Sequence, residues 1–212
     1  MHIVFKQIKS VGLATVLFFM VASSFAQSEA SRWKAQFSVG LNSPNSGGFV
    51  TGFEGKSINF PTIQLGVQRM FKPQYGVKLD YGFNRLDYDS GSPYFKINYS
   101  RINVQFVYDL TPIANFLPAQ LGVVAHAGPG FSMVKPLSGY SENNTSFLNA
   151  MAGLEFHYTI SRTLSVFLDT SYIYGFSSRF SPVSDGFGSF NGNLFTATVG
   201  VSVSLSGCYY CD

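Results

Sequence analysis

The sequence predicts an all-β chain, an eight-stranded antiparallel up-and-down transmembrane β-barrel, on three observations. Eight segments alternate apolar and polar residues with a period of two. Only 12% of residues are charged, whereas a soluble domain carries about 25%. Longer and shorter connections alternate between the segments, as in a barrel whose loops are long on one side of a membrane and short on the other.

The barrel is preceded by a targeting segment. Lys6 and Lys9 give a positive start, 11–22 is an apolar run too short for a helical span, and Ser24-Phe25-Ala26 ends it with small residues. Cleavage is expected between Ala26 and Gln27, which sets residues 1–26 aside as a signal peptide. No later window approaches the roughly 18 apolar residues of a transmembrane helix. The formal net charge of +3, with no clustered basic face, gives no support for nucleic-acid binding.

The mature chain then divides into a barrel over 27–205 and a short tail over 206–212. In 33–41, Trp33, Ala35, Phe37, Val39 and Leu41 alternate with Lys34, Gln36, Ser38 and Gly40. The segments 62–71 and 75–84 repeat the pattern, with Ile63, Leu65 and Val67, then Val77, Leu79 and Tyr81, on the apolar face. The fourth segment changes parity: Phe95, Ile97 and Tyr99 are odd, while Ile102, Val104 and Phe106 are even. A bulge near Ser100-Arg101 is the expected repair. The segments 120–133, 148–158, 164–176 and 195–205 complete the eight, each long enough for the roughly 9–11 residues of a tilted membrane strand.

Period two alone does not say which face points inward. A soluble barrel would turn Lys and Glu outward, and the shortage of charge therefore sends the apolar faces to lipid. The connections 42–61, 87–94, 135–146 and 177–192 are long and rich in Gly, Ser, Asn and Pro. The links 72–74, 111–118 and 159–163 are shorter, with 111–118 the least tidy. Trp33, Phe71, Tyr75, Tyr108 and Tyr158 lie beside the short turns. Phe83, Phe131, Phe147, Tyr172, Tyr174 and Phe195 lie toward the long loops, giving two aromatic girdles. Closure follows because an open sheet edge has no hydrogen-bond partners in lipid.

With eight such segments behind a signal, the chain resembles the outer-membrane β-barrel domain family, the porin-like relatives of the outer-membrane protein A barrel. The resemblance covers nearly all of 31–205 and rests on pattern, with no sharp motif. It implies residence in the outer membrane of a Gram-negative bacterium with both termini in the periplasm. The implied partners are outer-membrane lipid and lipopolysaccharide, and the assembly machinery that reads an aromatic residue at the end of the last strand. Here that strand ends at Leu205 or continues to Tyr209.

The inward face is expected to carry Lys34, Lys78, Asp80, Asp109, His126, Glu155, His157 and Asp169. An eight-stranded bore holds little beyond its own side chains, so these groups are expected to pair into a polar plug with no open pore. Against that stands a lipid A-modifying enzyme: His126 with Glu155 or Asp169 as base and orienter, and Ser132 or Ser165 as nucleophile. Such a site must reach the outer leaflet, and these groups read as deep. Cys208 and Cys211 form a lone C-x-x-C, read as a possible disulfide before a metal half-site. No cofactor and no metal is expected. Phe180, Phe187 and Phe190 in the outer loops are available to a partner, and Asn143-Asn144-Thr145 matches a glycosylation sequon of little weight. The expected role is structural or interactive, in the cell envelope and through the four long loops. The alternatives are the enzyme, a barrel component of a secretion apparatus, and a soluble ligand-binding barrel.

Overall fold

The computed structural model describes residues 33–205, apart from 115, 138, 162 and 178–188. The segment 1–26 with its expected cleavage point, Phe180, Phe187, Tyr209, and the 206–212 tail with Cys208 and Cys211 lie outside the described residues. Eight strands follow in order: β1 Trp33–Pro44, β2 Asn59–Met70, β3 Tyr75–Asp87, β4 Lys96–Asp109, β5 Leu121–Pro136, β6 Thr145–Thr159, β7 Leu164–Gly175 and β8 Leu194–Ser204. Each pairs antiparallel with its neighbours in sequence, and β1 pairs with β8, so the sheet closes into an up-and-down barrel. The seam runs from Lys34 opposite Ser204 to Pro44 opposite Leu194.

The usual distribution of polarity is inverted. Outward-facing Phe37, Leu65, Leu79, Val104, Phe106, Leu148 and Val199 are each about half exposed, whereas Gln36, Gln64, Lys78, Arg101, Gln105 and Glu155 are buried. Apolar side chains face out around the whole wall and charges face in, which suits a lipid surround and not water. Trp33, Phe71 and Tyr158 stand exposed at the short-turn end, and Phe131, Tyr172, Tyr174 and Phe195 at the other. Phe147 departs from the girdle reading. It lies on the inward parity of β6 and packs against a buried apolar cluster.

The bulge expected near Ser100-Arg101 does not form. The β3–β4 register runs unbroken from Tyr75 opposite Tyr108 to Asp87 opposite Lys96. Ile97 and Tyr99 therefore keep the inward parity of Arg101, Asn103 and Gln105, and all five are buried. The β4–β5 ladder skips Val104 and Gln105, where Pro129 on the facing strand has no N–H to donate, and resumes in the same register. Among the described residues, the register shifts in β1 against β2 between Gly40 and Asn42, opposite Thr62 and Asn59.

The loops are shorter than the sequence suggested, because strands run into them: Asn42–Pro44 belongs to β1 and Asn59–Pro61 to β2, with similar extensions of β5 and β6. The β4–β5 link, 110–120, is longer than the 88–95 and 137–144 loops, so the alternation of lengths fails there. It is a folded turn, held by Leu110 O accepting from the N–H groups of Ile113 and Ala114.

Candidate functional site

The inside of the barrel is where polar and titratable groups converge, and it is filled in layers. Inward glycines make room for the largest groups. A Cβ on Gly82 would lie 2.7 Å from Arg101 Cζ, and one on Gly153 would lie 2.7 Å from His126 Nε2. Through these two glycines the strands of one wall yield space to side chains of the next.

In the middle of the bore, Lys78 Nζ lies 2.5 Å from Glu155 Oε1. Glu155 Oε2 accepts from Gln36 Nε2 at 3.0 Å and contacts His157 Nε2 at 2.7 Å. His157 is half-buried, stacks on Phe167, and reaches Ser165 Oγ through Nδ1 at 3.2 Å. Arg101 Nη1 pairs with Asp80 and also donates to Asn103 Oδ1 at 3.1 Å. From there a chain climbs the bore. Asn103 donates to Asn149 (2.6 Å), Asn149 donates to Ser132 (2.8 Å), and Ser132 meets the Tyr99 hydroxyl at 2.7 Å. The third buried carboxylate, Asp169, accepts from Ser171 and lies 3.4 Å from His126 Nε2. A buried charge without a partner costs several kcal/mol, and the pairing of these groups is what the bore requires. Lys34 and Asp109 stand half-buried at the short-turn rim, where Asp109 accepts from the Thr111 N–H.

Arg101 is the group that sequence reasoning missed, because the expected bulge removed it from the inward face. Its signal was present: Arg101, Asn103 and Gln105 alternate with Ile102, Val104 and Phe106.

Above Tyr99 the filling changes to rings and aliphatic groups. The β1–β2 loop folds back into the mouth, so that Phe49, Val50 and Phe53 pack with Leu86, Phe95, Ile97, Val134, Ile173, Phe190 and Leu194. Phe49 lies 5.6 Å from Phe95 and 5.0 Å from Phe190, and Phe53 lies 5.6 Å from Phe95. Phe190 is fully buried, which removes it from the loop residues expected to be open to a partner.

Around His126 the candidate catalytic groups do not assemble as a nucleophile, base and orienter. Ser132 is engaged with Tyr99 and Asn149. Ser165 and Glu155 do meet opposite nitrogens of one imidazole, that of His157, at the short-turn end of the bore, but the two Glu155 oxygens are also held by Lys78 and Gln36. Beside His126 the hydroxyl is Ser171, and both it and Asp169 approach the same ring nitrogen, Nε2. A triad places nucleophile and orienter on opposite nitrogens of the imidazole. All three groups are buried. His126, Glu155 and Asp169 bring potential metal-ligand atoms within 4.8 Å of one another. Both Glu155 oxygens are already engaged, however, and the cation beside them is the Lys78 ammonium. The gap bordered by Gln36, Gln64, Lys78, Glu155 and Asp169 does not admit a water molecule.

A closed antiparallel barrel with an apolar outer wall and an ionised interior is an integral membrane protein of the strand-spanning class. The chain belongs to the outer membrane protein beta-barrel domain family, which it matches over residues 11–202. Its barrel is similar to that of Neisserial surface protein A, with a TM-score of 0.59 at 12% identity, covering 84% of this chain and 100% of that one. It is also similar to the outer membrane protein OprG from Pseudomonas aeruginosa, with a TM-score of 0.53 at 11% identity, covering 84% and 98%. The N-terminal barrel domain of Pseudomonas aeruginosa OprF gives 0.51 at 10% identity, covering 82% and 98%. No curated protein sequence matches the chain. At these identities the similar structures speak for the fold alone; the family places the protein in the outer membrane.

Proposed function

We propose that this barrel is a closed envelope protein that neither conducts solutes nor carries out chemistry, and that it acts through what its long loops present outside the cell. The observation that carries this reading is the continuous filling of the bore. Ion pairs occupy its middle, an amide and hydroxyl chain leads upward, and an aromatic cap formed partly by the β1–β2 loop closes the mouth. An eight-stranded barrel has room for little else. With an even number of strands both termini share one side, and the short-turn end facing the periplasm puts them there. The 88–95 and 137–144 loops then stand outside, with Asp89, Ser90, Gly91 and Glu142 exposed.

Two measurements test the reading. The folded protein in planar bilayers is expected to give no conductance steps, and envelopes from cells with and without it are expected to carry lipid A of the same masses. Stable steps would make it a channel; a changed lipid A mass would make it an enzyme.

A further inference from the structure

The outer wall carries almost no charge, yet its few cations are not scattered. Outward-facing charges on the strands are confined to Arg69 near the short turns and to Arg85, Asp87, Lys96 and Lys135 near the long loops. The register gathers the second group. Arg85 on β3 faces Asn98 on β4, and Asn98 faces Lys135 on β5, forming one row across three strands. Lys96 stands one step above, opposite Asp87, with Nζ 3.8 Å from that carboxylate and 5.9 Å from the centre of the exposed Tyr94 ring. Among the described residues Arg85 and Lys135 make no ion pair, and Lys135 is exposed. Two inter-strand spacings separate them, roughly 10 Å between Cα atoms, so both long side chains reach a common point over Asn98. Directly below lie Phe83, Met133, Ile102 and Phe131, the upper part of the lipid-facing band.

We propose that Arg85 and Lys135, with Lys96 above them, form a binding site on the outer wall for the phosphate of a lipid headgroup in the leaflet at the long-loop end. One asymmetry supports this occupant. Arg69 at the other end is exposed but stands against two rings, with its guanidinium 5.3 Å from the centre of the Trp33 ring and 5.7 Å from that of Phe71. Among the described residues Arg85 and Lys135 meet no ring, and one carboxylate, Asp87, stands near the three cations. Charge complementarity calls for an anion, and the apolar band beneath calls for one attached to acyl chains. The site deepens the proposed orientation, in which this leaflet is the outer one and the phosphate is that of lipid A. Binding in detergent does not depend on that orientation, so the two ideas fail separately.

The test is native mass spectrometry of the refolded, detergent-solubilised protein titrated with bisphosphorylated lipid A. The wild type and Arg69→Gln are expected to bind alike. Arg85→Gln/Lys135→Gln is expected to bind roughly twenty-fold more weakly while keeping the boiling-dependent gel shift of a closed barrel. Dephosphorylated lipid A is expected to erase the difference between wild type and double variant. Inorganic phosphate at millimolar concentration is expected not to compete. A double variant that binds lipid A like the wild type overturns the proposal, as does equal wild-type affinity for the dephosphorylated lipid. Full displacement by inorganic phosphate overturns the lipid as occupant.

Discussion

Around Glu155 the bore is filled by paired charges and amides; around Phe95 the same bore is filled by rings. The lower filling is directional. Lys78, Gln36 and His157 converge on one carboxylate, and Arg101 bridges Asp80 to the Asn103 amide. The upper filling is non-directional and recruits a loop, since Phe49 and Phe53 come from the chain between β1 and β2. Burial of each large apolar side chain contributes about 2–3 kcal/mol, whatever its angle. A buried ion pair contributes little net stability but fixes which partners meet. The middle of the barrel is thus where specificity of packing resides, and the mouth is where closure is achieved by area.

The largest expected effect breaks the ionised region. Lys78→Met leaves Glu155 buried without its ammonium partner and should cost about 3–5 kcal/mol in urea unfolding of the barrel in lipid vesicles. Lys78→Met/Glu155→Gln should recover most of that loss. A single variant as stable as wild type would mean that Gln36 and His157 suffice for Glu155. In the apolar region, Phe190→Ala should cost about 3 kcal/mol by leaving a cavity against Phe49 and Tyr99. No partner is stranded there, so no second substitution should rescue it as one does for Lys78. The smallest effect comes from Gly153→Ala, about 2 kcal/mol. The new methyl group meets Ser171 Oγ, and the Thr170 carbonyl oxygen at 2.7 Å. Gly52→Ala, with no atom within 4 Å of its Cβ, separates this steric effect from backbone strain at its φ of +87°.

The two regions were not equally legible in the sequence. Where the inward residues are polar, alternation reads directly, and Lys78, Asp80, Glu155 and Asp169 stand on strands whose other face is Val, Leu, Tyr or Phe. Where the bore turns apolar, both faces carry apolar groups and period two disappears. Leu86, Val134 and Ile173 then look like lipid-facing residues, and Phe95, Ile97 and Tyr99 look like a change of parity. The error at Arg101 followed from that loss of contrast. The loop segment that caps the mouth was illegible for a different reason: nothing in 45–58 says which way a loop folds, and only tertiary packing decides it. His126 was visible as an inward group. Ser171 shares the inward parity of Asp169 on β7, but its proximity to His126 depends on the stagger of β5, β6 and β7, which alternation alone does not fix.

The seam between β1 and β8 also bears on how the molecule comes into being. Ser38 and Thr198, 160 positions apart, share a hydrogen bond there, and Gln64 reaches both. Until those extremes of the chain meet, the sheet has two raw edges, and every backbone group along them would face hydrocarbon unpaired. Synthesis of β1 is over long before its mate exists. Those edges must therefore be paired by another partner or kept in water until the final strand is available.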